Sequence, residues 1–405
     1  MNSTMLTSPL AAAPAHAPFA KTDRRFTLDG NDELEHRLAL VCDRIRGALR
    51  GLFPANKLEG VLLGGGYGRG QGGVLAGPEG DHQPYNDLEF YVYLRGNRHL
   101  NELRYHRPLE VLAQILTPQI GVEVEFKIAS LDEFRRSPVS MFSYDLVSGH
   151  RRLLGPEDLL AGCNHHKVSE NIPLSEATRL LMNRCSGLLF ARERLARNER
   201  FTEADADFVA RNIAKAQLAF GDAVLTARGR YHWSCLERQR RLASLPADPS
   251  LSWQEQVGRH HAAGVFFKLH PERSTASVAQ LKHEHEKVTA LGLQLWLWLE
   301  SRRLETIFSS ARDYVANPIN KCPETTAGRN WLVNLKTLGP RSCLRHGAFH
   351  HPRERILHSL ALLLWQPDAL RSAHWCERLQ SELGAKARDF PTMITAYQSR
   401  WSHVN

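Results

Sequence analysis

Two carboxylates, Asp87 and Glu89, stand two residues apart inside the run N-D-L-E-F-Y-V-Y-L, and that spacing carries chemistry. Side chains at i and i+2 of a β-strand leave the same face. Asp87 and Glu89 would therefore project side by side from a strand otherwise built of Leu88, Phe90, Val92 and Leu94. Like charges so placed are costly unless something positive sits between them, and a divalent cation held by oxygen ligands is the usual answer. Upstream lies a glycine-rich segment, L-L-G-G-G-Y-G-R-G-Q-G-G-V, running from Leu62 to Val74.

Three chemistries fit a glycine-rich turn near acids. A phosphate loop of the Walker type needs Gly-Lys-Ser/Thr, and here Gln71 follows Gly70. The dinucleotide fingerprint is met literally by Gly68-x-Gly70-x-x-Gly73, with Asp87 or Glu89 as the ribose acid. That fingerprint works only if its last glycine opens a helix, and Gly77, Pro78, Gly80 and Pro84 leave no room for one. The third reading takes the glycines and acids together with G-V-E-V-E-F-K-I-A (121–129). This strictly alternating segment predicts a further strand whose charged face carries Glu123, Glu125 and Lys127.

In that order, Gly65-Gly66-Tyr67-Gly68-Arg69-Gly70, Asn86-Asp87-Leu88-Glu89-Phe90 and V-E-V-E-F-K resemble the signature of the polymerase-β-like nucleotidyltransferases, which include the minimal and the aminoglycoside-modifying types. Y-D-L-V-S-G-H-R-R-L-L-G-P-E-D-L-L resembles the stretch that closes such domains, and the likeness covers about residues 58–160. The crossing from Gly66 to Asp87 is longer than the family's usual spacing, which an insertion around Ala76–Pro84 accounts for.

The resemblance implies Mg²⁺-dependent transfer of a nucleoside monophosphate from a nucleoside triphosphate, ATP being the first candidate, to a hydroxyl of an acceptor: a small molecule, a protein or an RNA end. It implies Asp87 and Glu89 as shared metal ligands and a third acid on the neighbouring strand. Glu125 is the choice, since it directly precedes Phe126-Lys127; Glu123 shares its face and stays open. Gly65, Gly66 and Gly68 would let backbone N–H groups approach the triphosphate, and Arg69 would clamp a phosphate. The alternative is a catalytically degenerate copy serving as a binding module, for instance an antitoxin-like partner.

The elements that must position these residues follow from patterning. A stripe of Leu34, Leu38, Val41, Ile45 and Leu49 predicts a helix over 33–53 capped by Asn31 or Asp32. Strands are expected at 58–63, 87–94 and 121–129, a turn-rich loop at 71–86, and a helix from Asn97 to Thr117 closed by Pro118. Residues 130–165 predict a short helix near 132–136, then strand, turn, strand and a Pro-started helix. Helical periodicity dominates from Pro173 onward, with segments at 174–197, 203–228, 233–244, 252–268, 275–303, 353–366, 368–384 and 390–402. On the helix expected at 203–228, Lys215 and Asp222 could reach a nucleotide. The fold class is thus α+β, a mixed-sheet domain with flanking helices (25–168), followed by an all-α domain (169–405) after a disordered tail (1–24).

Composition bounds the rest. The chain has 405 residues and a formal charge of +9, spread rather than gathered, which suits anionic ligands. Seven cysteines without a C-x-x-C pair point to free thiols and a cytoplasmic setting. No run reaches the length of a membrane span, so no membrane partner is expected; oligomerisation stays open. The His pairs 165–166, 260–261 and 350–351 and the H-E-H-E at 283–286 lack zinc-site spacing. Arg341-x4-His346 and Arg353-x4-His358 match a helical ribonuclease motif only trivially. Trp296 and Trp298 read as core and interface.

Overall fold

A computed structural model describes residues 25–197, 201–339 and 348–404. The expected tail (1–24) and the Arg341/His346 pair lie outside these residues. The first half runs α1 (Asp32–Leu52), β1 (Leu58–Leu63), α2 (Gly65–Gly68), β2 (Val74–Ala76), β3 (His82–Pro84), β4 (Leu88–Leu94), α3 (Arg98–Ile120), β5 (Val124–Ala129), α4 (Leu131–Arg136), α5 (Met141–Ser148) and β6 (Arg151–Leu154). Four strands form a mixed sheet in the order β5-β4-β1-β6. Strands β4 and β5 are parallel, while β1 is antiparallel to both β4 and β6.

Each helix start has a local cause. Asn31 accepts a hydrogen bond from the Leu34 amide and opens α1, whose apolar stripe is wholly buried. Asn97 caps α3 in the same way, and Gly121 ends it in a left-handed turn at φ 85°. Pro118 does not close this helix. It lies within the last turn, where its fixed φ is still helical, and the chain continues to Ile120.

Two further expectations are corrected. The crossing at 71–86 is not a bare loop: β2 and β3 pair as a small antiparallel hairpin. The β3 end is stitched to α1, because His82 Nδ1 accepts from the Asn31 amide (2.9 Å) and Arg37 donates to the His82 carbonyl (2.9 Å). The stretch Tyr144–Ser148 is helical rather than extended, since Ser140 and Ser143 form a capping box that starts α5. The Pro156 segment forms turns instead of a helix.

The second half is helical: α6 (Leu174–Leu195), α7 (Glu203–Ala227), α8 (Cys235–Ala243), α9 (Gln254–Leu269), α10 (Val278–Arg303), α11 (Ala311–Ala316), α12 (Ala327–Leu338), α13 (Pro352–Trp365), α14 (Ala373–Leu383) and α15 (Phe390–Val404). Of these, α11 and α12 were not expected. The sheet half and the helical half have separate apolar cores. Trp296 packs in the second core against Trp365 and Tyr314, and Trp298 against Trp253, so neither is a base-stacking surface. Among the described residues no helix is long and apolar enough to cross a membrane.

The halves meet through polar contacts at the glycine turn. Gln71 donates to Ser234 Oγ (2.7 Å) and accepts from the Cys235 amide (3.0 Å), seating the start of α8 on the turn. A buried chain of charges continues the joint: Arg69 to Asp145 (3.0 Å), Asp145 to Tyr231 (3.3 Å), Tyr231 to Arg238 (3.0 Å), Arg238 to Asp222 (2.7 Å) and Asp222 to His261 (3.1 Å).

Candidate metal centre and anion cleft

The register of β4 on β5 sets the acids. Glu89 pairs directly with Glu125 across the parallel ladder, and Asp87 sits just before β4 on the same side. One carboxylate oxygen from each of Asp87, Glu89 and Glu125 lies within 4.8 Å of the other two. Among the described residues this is the one such cluster of potential metal ligands. Glu123 precedes β5, is exposed and stays outside the group. The alternation left 123 and 125 equivalent; the position at which β5 begins pairing with β4 distinguishes them.

The glycine turn lies against these acids. The Gly64 amide donates to the Glu89 carbonyl (2.9 Å), which ties the end of β1 to the acidic strand. Gly65 has φ +60°, and a Cβ there would stand 3.0 Å from Glu89 Oε2. Both facts require glycine: an L side chain would be strained and would press on the Glu89 carboxylate. Below the turn the buried Tyr67 hydroxyl donates to the Gly73 carbonyl (2.8 Å) and accepts from the Tyr85 amide (2.9 Å). Burial pushes that phenol up to about 12, so it stays protonated and pins both ends of the hairpin.

A residue that the sequence reading left without a role completes the cluster. Lys127 Nζ lies 2.8 Å from Glu89 and 3.0 Å from Glu125. Burial alone would lower this ammonium, but the hydrogen bond and charge of Glu89, with Tyr91 and Glu125, hold its pKa above the ordinary lysine value. Its position was legible, since it follows Glu125 by two residues on one strand face.

Lys215, one of a set of cations in the helical half, reaches the acids. Lys215 on α7 is within electrostatic reach of Asp87, Lys268, Arg184 and Arg211. It touches solvent, yet the surrounding protein bulk, followed by the charges of Arg184 and Arg211, brings its pKa down to about 8, with Asp87 pulling the other way. Lys268 on α9 is likewise held at about 8, first by burial and then by Arg69. The α7 pattern pointed to Lys215. Lys268 and Arg184 had no sequence signal, because α6, α7 and α9 are brought together only by the second core.

Two expected contributors stand elsewhere. Asp222 is buried in the ion pair with Arg238 and does not face the acids. Arg69 donates to Asp145 within the sheet half and is mostly enclosed beside the site. Arg69 and Asp145 both line a hollow of about 320 Å³ whose wall also includes Gly65, Glu89 and Lys127. A larger groove of about 1220 Å³ follows α3 and the open edge of β5. It touches Glu125 but neither the glycine turn nor the α7 and α9 cations, so it lacks the parts of an anion site. The histidine pairs serve packing: His261 bonds Asp222, His285 the Leu188 carbonyl, and His358 Glu382.

Comparison of the chain with protein-family models, with curated proteins and with solved structures finds no match.

Proposed function

We propose that the protein is a nucleotidyltransferase of the polymerase-β-like kind, moving a nucleoside monophosphate from a nucleoside triphosphate to an acceptor hydroxyl. One observation carries the reading: three carboxylates converge at the start of β4 and β5, and Lys215 of the helical half lies within electrostatic reach of Asp87, with Lys268 beside it. Acids on one side and cations on the other is what a triphosphate with its divalent counter-ions requires.

The donor set fits Mg²⁺, being all oxygen and open to solvent at Asp87. Asp87, Glu89 and Glu125 would hold the ion, which when bound offsets charge on the attacking and leaving oxygens. The chain's own groups do the rest. Backbone N–H groups at the start of the Gly65–Gly68 turn meet phosphate oxygens, the Gly68 amide being bonded to the Gly64 carbonyl (2.9 Å), and Lys215 and Lys268 neutralise the departing pyrophosphate. Glu125, nearest the open edge, takes the proton of the acceptor hydroxyl as its oxygen bonds to the α-phosphorus and the bond to the β-phosphate oxygen breaks.

Lys127 bridges Glu89 and Glu125 at the place a cation would take. Lys127→Met removes that competing charge, and Mg²⁺ affinity measured by calorimetry is expected to rise about threefold to tenfold. Unchanged affinity would mean the ammonium and the ion do not share the acids. The same contact is the one observation favouring a catalytically degenerate binding module, because the lysine already engages two of the three acids and offsets part of their charge. Labelled ATP, CTP, GTP and UTP with Mg²⁺ and cell extract separate the two readings: label transferred to an acceptor supports the enzyme, and nucleotide binding without transfer supports the module.

The lysines also set a pH dependence. Both are charged below about pH 8 and neutral well above it, so the KM for ATP is expected to climb between pH 7 and 9.5. The corresponding stability term has the opposite sense. A lysine depressed in the fold costs stability while the fold must hold it charged, and that cost fades as pH rises through 8. In Lys215→Met/Lys268→Met the KM should be high at pH 7 and nearly flat with pH; a slope as steep as that of the unaltered protein would remove these lysines from the site.

A further inference from the structure

Resting on the nucleotidyl-transfer reading, we infer that the acceptor is a small, negatively charged hydroxyl compound, a phosphate or carboxylate ester or acid, held in the cleft between the acidic sheet face and the start of α13. This cleft has a volume of about 850 Å³ and is walled by β4 and β5 on one side and by α6, α12 and α13 on the other. It shares Tyr91, Phe142 and Lys127 with the hollow at Glu89, so a molecule within it presents one end to the acids. That volume suits a small molecule and not a folded protein.

The far end of the cleft is an anion corner. Arg329 of α12 and Arg353 of α13 both line it, with His351 between them at the cap of α13. Burial, then Arg353 and Arg329, hold His351 at about 4, so it is neutral at pH 7 and both guanidinium groups act on one spot. Among the described residues neither arginine has a carboxylate partner within 4.0 Å, and Arg353 Nε is buried with no hydrogen-bond partner. By contrast, Glu176 and Glu324 on the same walls are already engaged, by Arg179 (2.9 Å) and Arg303 (3.5 Å), which leaves Glu133 of α4 as the one lining carboxylate without an ion pair among the described residues. The N-terminal end of α13 adds its positive dipole. Two unpaired guanidinium forks at a helix start recognise phosphate or carboxylate oxygens, and they repel a polycationic acceptor such as an aminoglycoside.

Two measurements test this. Calorimetric titration with inorganic phosphate should show a site that Arg329→Gln/Arg353→Gln weakens about tenfold or more. Lys215→Gln/Lys268→Gln should leave that site in place, and the arginine variant should bind ATP, titrated by calorimetry in the absence of acceptor, within about twofold of the unaltered protein. Phosphate binding indifferent to the arginines overturns the anion corner, whatever the state of the transfer reaction. The second measurement offers labelled ATP with Mg²⁺ to an anion-exchange fraction of small metabolites, to an aminoglycoside and to RNA. Label on a small anionic compound, lost in Arg329→Gln/Arg353→Gln, supports the acceptor assignment. Label on the aminoglycoside or on RNA overturns it while nucleotidyl transfer stands. Label on nothing, with the phosphate site intact, overturns the acceptor role together with the transfer reading.

Discussion

Asp87→Ala is expected to lower transfer of label from a nucleoside triphosphate by on the order of 10³-fold while leaving the thermal transition close to its original position. Asp87 is exposed at the tip of β4 and takes no part in the apolar core. Its removal should therefore cost the fold almost nothing and even relieve repulsion among three acids within 4.8 Å. The activity loss, by contrast, should be near complete, because two remaining carboxylates that share one lysine keep a single net negative charge and one ligand fewer to hold a divalent ion. Asp87→Asn is the sharper variant, since it keeps the size and removes only the charge. Glu125→Ala should behave like Asp87→Ala, and Glu123→Ala should retain activity within about twofold, because Glu123 lies outside the cluster. Transfer retained in Asp87→Asn, or lost equally in Glu123→Ala, would show that the acids do not work as the register implies.

The acids and glycines could be read from the chain because each rests on a short-range rule. Alternation places Asp87 with Glu89 and Glu125 with Lys127, and only the pairing of β4 with β5 had to be supplied by the fold. Of the cations in the helical half, Lys215 could be read from its helix, but its neighbourhood with Lys268 could not. Lys268 and Lys215 are 53 positions apart and share a wall only because α7 and α9 pack against each other in the helical half. The hairpin at 74–84 was hidden for a different reason. Its strands are three residues each, too short for alternation to register, and their pairing is fixed by Tyr67 and α1 rather than by their own apolar pattern. The stretch Tyr144–Ser148 misled because an apolar run of that length is equally good as strand or buried helix, and the deciding signal was the Ser140/Ser143 cap one turn earlier. Arg69 stands where the resemblance puts a clamp, in the wall of the hollow at Glu89, and the fold adds what position alone could not give, an anchoring bond from one guanidinium nitrogen to Asp145 on α5.

Arg238→Met is expected to destabilise the protein by about 3–5 kcal/mol, the largest stability loss of any single surface-neutral change at the joint between the halves. Arg238 and Asp222 are both almost fully buried, with side-chain exposures of 4% and 8%. Burial would raise the Asp222 carboxyl, but Arg238 and His261 outweigh it and hold the pKa below the usual carboxylate range. Methionine fills much of the same volume, so the loss would come from an uncompensated carboxylate, not from a cavity. Arg238 also donates to Tyr231 and to the His232 carbonyl, which fix the segment leading into α8, and α8 is the element that Gln71 holds against the glycine turn. Loss of the arginine should thus loosen the cation wall relative to the acids, raising the KM for ATP as well as lowering the urea midpoint. The double variant Arg238→Met/Asp222→Leu separates the two effects. With both charges gone the stability should return most of the way, because the penalty lies in breaking the pair rather than in lacking it. The KM should recover less, since Tyr231 and His232 remain without their donor. Equal destabilisation in the single and double variants would show that hydrogen bonds from Arg238, and not its pairing with Asp222, hold the helical half on the sheet.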